Sequence, residues 1–82
     1  MQSSEVVRRK LKEAGWMADA EKIGEESHIV YYHDRYKNYR IGINDERVLV
    51  QQKNGFTPEY ENLIVIKHFE FLWVMDLLLL DY

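Results

Sequence analysis

Three histidines are the side chains best suited to acid–base or metal chemistry in this sequence, because it contains no cysteine. His28 and His33 stand five residues apart, and on a strand this spacing points them to opposite faces. His68 and Glu70 are two residues apart, not the three or four that helical metal ligands need. The spacing therefore predicts no metal site. The sequence also lacks a phosphate-binding glycine loop, and we expect no bound cofactor.

A tyrosine-rich segment follows His28 and contains several basic side chains. Its aromatic and basic members are Tyr31, Tyr32, Tyr36, Tyr39, Arg35, Lys37 and Arg40. Such a mixture can stack the bases of single-stranded nucleic acid. The alternative is that half of the tyrosines pack against helices and half lie on the surface of a sheet. Tyrosine is also a frequent anchor in protein interfaces, and we expect Tyr31 and Tyr36 to serve in one.

The charge balance disfavours nucleic acid as the partner. The 82 residues carry 11 basic and 14 acidic side chains, for a net charge of −3. Residues 1–40 hold 8 basic and 7 acidic groups, whereas residues 41–82 hold 3 and 7. Nucleic-acid binders usually have a basic excess, because their affinity comes largely from neutralising phosphates. The chain as a whole has none.

Part of the first 40 residues resembles a known family. The stretch from Glu5 to Trp16, followed by Ser27-His28-Ile29-Val30-Tyr31-Tyr32-His33, is similar to the opening of HicA-type toxins. The resemblance covers residues 4–34 and implies a double-stranded-RNA-binding-like fold with mRNA-cleaving activity. It also implies that His28 is the catalytic general acid or base in attack of the ribose 2′-OH on the adjacent phosphodiester.

An amphipathic helix is predicted over residues 4–14. Val7 and Leu11 recur on one face, and serines precede the first turn as N-cap candidates. Gly15 follows as a C′ residue, with Trp16 placed for the apolar contact of a Schellman ending.

Residues 16–24 fit either a short helix or an edge strand, and the helix preference of Ala, Glu and Lys favours the helix. Three strands are then predicted near residues 28–33, 39–43 and 47–52, where β-branched and aromatic residues dominate. Short polar connections between them indicate an antiparallel meander. In that meander Val48 and Val50 share the buried face with Ile41 and Ile43.

The C-terminal quarter is mostly apolar. Thr57-Pro58-Glu59 predicts a helix start, with Thr as N-cap and Pro at the first helical position. Charged and polar residues interrupt the following segment, so it is not a membrane span. The alternative is a strand at residues 63–69 with a helix after it. A helix that is apolar nearly all round needs cover on more than one side, so we expect homodimerisation or partner binding through residues 63–82. The interface residues predicted there are Leu72, Trp73, Leu77 and Leu80.

The sequence therefore predicts one α+β domain over residues 1–82. It comprises an N-terminal helix, an antiparallel meander of three to four strands and a C-terminal apolar helical segment packed on one face. The function we expect is non-enzymatic: a small cytoplasmic protein–protein interaction or regulatory protein. It has the size and composition of inhibitors that phages and other mobile elements encode, and the toxin–antitoxin setting of a HicA-like mRNA-cleaving toxin using His28 is the alternative.

Overall fold

An N-terminal helix, five antiparallel strands and a C-terminal helix follow one another along the chain. A computed structural model describes residues 3–56 and 58–78, with the backbone alone for 76–78. The elements are α1 (Ser3–Glu13), β1 (Met17–Ile23), β2 (Glu26–Tyr32), β3 (Tyr39–Ile43), β4 (Val48–Lys53), β5 (Tyr60–Ile66) and α2 (His68–Leu78). The strands form one sheet in the order β1-β2-β3-β4-β5. The predicted α+β meander is confirmed, with five strands in place of three or four.

The first helix ends as its sequence predicts. The Trp16 N–H donates to the carbonyl of Leu11 at 3.0 Å, and the Gly15 N–H donates to Lys12 at 3.1 Å. These are the two hydrogen bonds of a Schellman motif. Gly15 has a φ of +97°, which residues with a side chain rarely adopt. The motif brings Trp16 back onto Leu11 in the core.

The helix predicted over residues 16–24 is wrong, because this segment is the edge strand β1. It pairs with β2 along its whole length, from Met17 opposite Tyr32 to Ile23 opposite Glu26. A two-residue turn joins the strands, and its first residue is Gly24 with a φ of +65°, as type II′ hairpin turns require. Pairing with β2 overrides the helix preference of the individual residues.

One face of the sheet forms the core beneath both helices. Ile41 pairs with Val50 and Ile43 pairs with Val48, so the predicted sharing of a buried face by these four residues is confirmed. The side chains buried in this core are Val7, Leu11, Trp16, Tyr31, Ile41, Ile43, Val48, Val50, Phe71 and Met75. The two helices also contact each other on this face of the sheet.

The helix start predicted at Thr57-Pro58-Glu59 is wrong. Thr57 lies outside the described residues, and Pro58 and Glu59 precede the strand β5. Ile64 pairs with Val50 and Ile66 with Val48, which extends the buried face by two β-branched residues. The alternative of a strand followed by a helix is thus the observed arrangement, with the strand at Tyr60–Ile66 in place of residues 63–69.

The C-terminal helix begins at a capping interaction that the sequence prediction missed. The Phe71 N–H donates to the carbonyl of Lys67 at 3.0 Å, which makes Lys67 the N-cap residue. The Glu70 carboxylate reaches back and accepts from the Lys67 N–H at 2.9 Å. This is half of a capping box, and it fixes the boundary between β5 and α2.

The other face of the sheet carries no helix, yet part of it is buried. Val30 and Leu49 lie on this face and are almost inaccessible to solvent. Ile23, at the end of the edge strand β1, folds over the middle of the sheet. Its Cδ1 atom would lie 2.6 Å from a Cβ placed on Gly42. A glycine at this position therefore allows the edge strand to cover the centre of the face.

Candidate functional site

His28, the catalytic candidate under the HicA-like alternative, lies on β2 and is only 4% exposed. Its Nδ1 donates to the carbonyl of Glu26 at 3.0 Å, which leaves Nε2 as an acceptor. The side-chain amide of Asn44 lies 3.3 Å from Nε2 and donates to it. Both ring nitrogens of His28 are therefore occupied by neighbouring groups of the chain.

A cleft of about 510 Å³ opens beside His28, where α1 meets the end of the hairpin formed by β1 and β2. Its wall combines cationic, hydroxyl, carboxylate and apolar groups. The residues that line it are Arg8, Ala20, Glu21, Lys22, Ser27, His28, Ile29, Ile43, Asn44 and Asp45. We refer to it as the Arg8 cleft. It places two cations, Arg8 and Lys22, beside the hydroxyl of Ser27.

Arg8 is the unusual member of this wall. Its Nε atom is buried and has no hydrogen-bond partner among the described residues. The charge of Arg8 is close enough to Tyr31 to act on it. Burial raises the pKa of the Tyr31 hydroxyl, and the positive charge of Arg8 partly opposes that rise. A buried guanidinium N–H without an acceptor is costly in a native fold.

His33 caps the C-terminal end of α1 instead of joining His28. Its Nδ1 accepts from the Arg35 N–H at 3.0 Å, so Nε2 carries the proton and donates to the carbonyl of Ala14 at 3.1 Å. The ring packs edge-on against Trp16 with centroids 5.2 Å apart. The structure therefore keeps His28 and His33 in separate places, with His33 one residue beyond the end of β2.

The two tyrosines predicted for an interface occupy different positions. Tyr31 is 3% exposed and belongs to the core. Tyr36 is half-buried and stacks on Trp16, with centroids 5.9 Å apart and an interplanar angle of 13°. The rings of Trp16 and Tyr36 line an apolar pocket of about 320 Å³ on the helix-covered side of the sheet. The other residues of that pocket are Tyr39, Ile41, Val50, Leu63, Ile64 and Phe71.

The outer surface of α2 carries a pair of exposed aromatic rings. Trp73 is 74% exposed and Phe69 is 48% exposed, and their rings meet edge to face with centroids 6.1 Å apart. Leu72, also predicted as an interface residue, is partly buried and packs against the core. The side chain of Leu77 and all of Leu80 lie outside the described part of the chain. Of the four interface residues predicted in this segment, Trp73 is the one that the structure describes as exposed.

A polar network crosses the helix-free face of the sheet. The Tyr32 hydroxyl donates to the Glu21 carboxylate at 2.5 Å, and Arg40 lies 3.9 Å from the same carboxylate. The Arg40 Nε donates to Gln51 at 2.6 Å, and the guanidinium stacks 3.9 Å above the ring of Tyr60. Burial raises the pKa of the Tyr32 hydroxyl and its hydrogen bond to Glu21 raises it further, whereas Arg40 opposes the rise. Since these groups satisfy one another, the network stabilises the sheet.

In the described part of the chain, no three His, Asp or Glu side chains come together where they could hold a metal ion. None of the helices described there is long and apolar enough to cross a membrane. Comparison of the chain with protein-family models, with curated proteins and with solved structures finds no match in any of the three.

The sequence prediction did not identify Arg8 and Lys22 as residues that line the Arg8 cleft. Arg8 reads in the sequence as part of the solvated face of a basic helix, and Lys22 lies in the segment whose secondary structure was wrongly predicted. The usable signal was the hairpin glycine, Gly24, at the end of an Ala- and Lys-containing stretch. A hairpin there pairs Lys22 with Ser27, as the structure does.

Proposed function

We propose that this protein is a small, non-enzymatic cytoplasmic interaction protein that binds another protein through the outer surface of α2. The observation that carries the proposal is the exposed ring pair of Phe69 and Trp73. Tryptophan with most of its surface in water is unusual for a side chain that prefers burial. It is also among the residue types that most often dominate binding energy in interfaces.

The position of the pair favours a protein partner. α2 is anchored by Phe71 and Met75 in the core, so the opposite side of the helix presents Phe69 and Trp73 on a rigid support. Rigid aromatic anchors bind at a low cost in side-chain entropy. The apolar pocket lined by Trp16 and Tyr36 offers a second place where an apolar side chain of a partner can insert.

A second copy of the chain is the first partner to test. In the sequence, Leu77 and Leu80 follow Trp73 by four and seven residues, which is the spacing of one helical stripe. Two such stripes related by a two-fold axis remove each other's apolar side chains from water.

The acidic balance of residues 41–82, with 3 basic and 7 acidic groups, also suits an inhibitor that covers a basic surface, such as those that mobile elements encode.

The HicA-like alternative draws on His28 and the Arg8 cleft beside it. Basic neighbours of His28 favour a nuclease, and acidic ones favour an inhibitor. The cleft wall carries both kinds, with Arg8 and Lys22 against Glu21 and Asp45. A catalytic His28 would also have to release the Asn44 amide that its Nε2 accepts from. We therefore rank mRNA cleavage second.

Sedimentation equilibrium of the wild-type chain, Trp73→Ala and Phe56→Ala tests the proposal. Phe56 is 96% exposed in a loop, so Phe56→Ala removes an aromatic ring elsewhere that is even more accessible than Trp73. We expect the wild type and Phe56→Ala to self-associate, or to capture the same protein from the source cell, and Trp73→Ala to lose that association. A wild-type chain that is a cooperatively folded 9.9 kDa monomer, with a capture profile unaffected by Trp73→Ala, would overturn the proposal.

A further inference from the structure

We propose that the Arg8 cleft binds a phosphate group, either free or carried by a larger compound. The starting observation is the buried Arg8 Nε, which has no acceptor among the described residues. Native structures rarely leave a buried charged donor without a partner. The Arg8 side chain also lines the cleft, where a bound anion can accept hydrogen bonds from the guanidinium group. Arginine is also the side chain whose fork of N–H donors best matches a phosphate.

Two further donors face the same space from the sheet. Lys22 and Ser27 are directly opposite each other across the β1–β2 hairpin, so their side chains lie on the same face. Ala20 and Ile29 are the next pair on that face, and all four residues line the cleft together with Arg8. The cleft thus presents a guanidinium, an ammonium and a hydroxyl, which are three of the donor types that bind phosphate oxygens.

The carboxylates of the wall decide whether the site attracts an anion. The Glu21 carboxylate accepts from Tyr32 and lies beside Arg40, so its charge is balanced on the other face of the sheet. Asp45 is exposed and is the remaining carboxylate of the wall. Arg8 and Lys22 therefore face one unbalanced acidic group, which leaves a net positive charge in the cleft. His28 offers no free hydrogen-bond donor to the cleft, because its two nitrogens donate to Glu26 and accept from Asn44.

The site is separate from the surface proposed to bind protein. Phe69 and Trp73 lie on the outer side of α2, and neither lines the Arg8 cleft. Loss of phosphate binding and loss of association through Trp73 can therefore be distinguished with the same set of variants.

Titration of the ¹⁵N-labelled chain with inorganic phosphate, at constant ionic strength set by chloride, tests the proposal. We expect saturable shifts of the Arg8 side-chain Nε–H signal and of the backbone amides of Lys22 and Ser27. Arg8→Gln should weaken phosphate binding roughly tenfold or more, the loss expected for a charged hydrogen bond. Arg9→Gln makes the same charge change on the exposed side of α1 and should leave the affinity unchanged.

Asp45→Asn supplies a variant with the opposite expectation. It removes the unbalanced carboxylate of the wall and should tighten phosphate binding severalfold. A parallel titration with O-phosphoserine distinguishes a phosphate carried by a larger compound, which should bind more tightly than free phosphate. If the wild-type Arg8 Nε–H signal shows no saturable shift with phosphate or O-phosphoserine, the proposal is wrong. Equal affinities in Arg8→Gln and Arg9→Gln would overturn it as well.

Discussion

His68 donates from its Nε2 atom to the backbone carbonyl of Asn44 at 2.7 Å, which joins the first residue of α2 to the turn between β3 and β4. The Asn44 side chain also closes this turn and extends the connection to β2. Its Oδ1 accepts from the N–H groups of Glu46 and Arg47 at 2.8 and 2.9 Å, and its amide donates to His28 on β2. Hydrogen bonds of Asn44 therefore connect this turn to the strand β2 and to the helix α2.

Asn44→Ala should destabilise the fold by about 2 kcal/mol, because it leaves the two turn N–H groups and the His28 Nε2 without partners. Asn54→Ala is the matched control, since the Asn54 side chain, in an exposed loop, accepts from Phe56 N–H alone among the residues that the structure describes. That substitution should cost less than about 1 kcal/mol. Urea unfolding of both variants makes the comparison. Equal losses would show that the contacts of Asn44 contribute no more than a single loop hydrogen bond.

Gly15→Ala should destabilise the chain by about 1–2 kcal/mol. The backbone at Gly15 has a φ of +97°, and a Cβ there would lie 3.0 Å from His33 Nε2, the atom that caps α1. Gly55→Ala serves as the control, because its Cβ would meet no atom within 4 Å. In thermal melts, Gly15→Ala should therefore unfold at a clearly lower temperature than Gly55→Ala. A melt of Gly15→Ala that matches Gly55→Ala would contradict the role assigned to this helix end.

The sequence predicts α1 and the central strands well, because each carries a local signal that the tertiary structure supports. The Schellman ending at Gly15 and Trp16 needs only neighbouring residues. The strands β3 and β4 follow from alternating Ile and Val with a tight turn between them. These elements are short-range, and propensity and periodicity describe them adequately.

The edge strands could not be predicted in the same way. The residues of β1 prefer a helix individually, and β5 follows a Thr-Pro-Glu sequence that usually begins one. Both segments become strands because a neighbouring strand offers hydrogen bonds along the whole of β1 and along β5 except at an irregularity next to Leu63. The Arg8 cleft lies between α1 and β1, so a wrong assignment of β1 concealed it. The exposure of Trp73 depends on which side of α2 meets the core, which a nearly uniform apolar sequence does not specify.

Val50→Asp should abolish cooperative folding or cost several kcal/mol, because it places an unpaired charge in the core between Ile41 and Ile64. Val65→Asp is the control on the neighbouring strand, where the side chain is about half exposed. It should cost much less, since its carboxylate keeps contact with water. Circular dichroism melts of the two variants test the expected order of stabilities, and the reverse order would mean that the two faces of the sheet are wrongly assigned.

Stability should fall as the pH rises above about 10. Burial raises the pKa values of Tyr31 and Tyr32 above their ordinary value of 10.0, and the Glu21 hydrogen bond adds to the rise at Tyr32. The folded state therefore keeps phenol protons that the unfolded state has already released. This contribution is fully present below pH 10 and is lost as the pH rises through the folded-state values. Urea unfolding across this pH range measures the contribution. The free energy of unfolding of Tyr32→Phe, which leaves every lysine in place, should fall less steeply with pH than that of the wild type.

Purified wild-type protein should not cleave single-stranded mRNA. The net charge of −3 opposes binding to the negatively charged phosphate chain of RNA. His28 is 4% exposed, and its Nε2, the atom that would exchange a proton with a ribose hydroxyl, accepts instead from Asn44. Incubation with a labelled transcript checks this, with His33→Ala as the matched histidine variant, because His33 lies at the end of α1 and away from the cleft. Cleavage that His28→Ala abolishes and His33→Ala retains would reverse the ranking and make the HicA-like function the better proposal. Cleavage that survives both substitutions would instead indicate a contaminating nuclease, since neither histidine would then be needed for it.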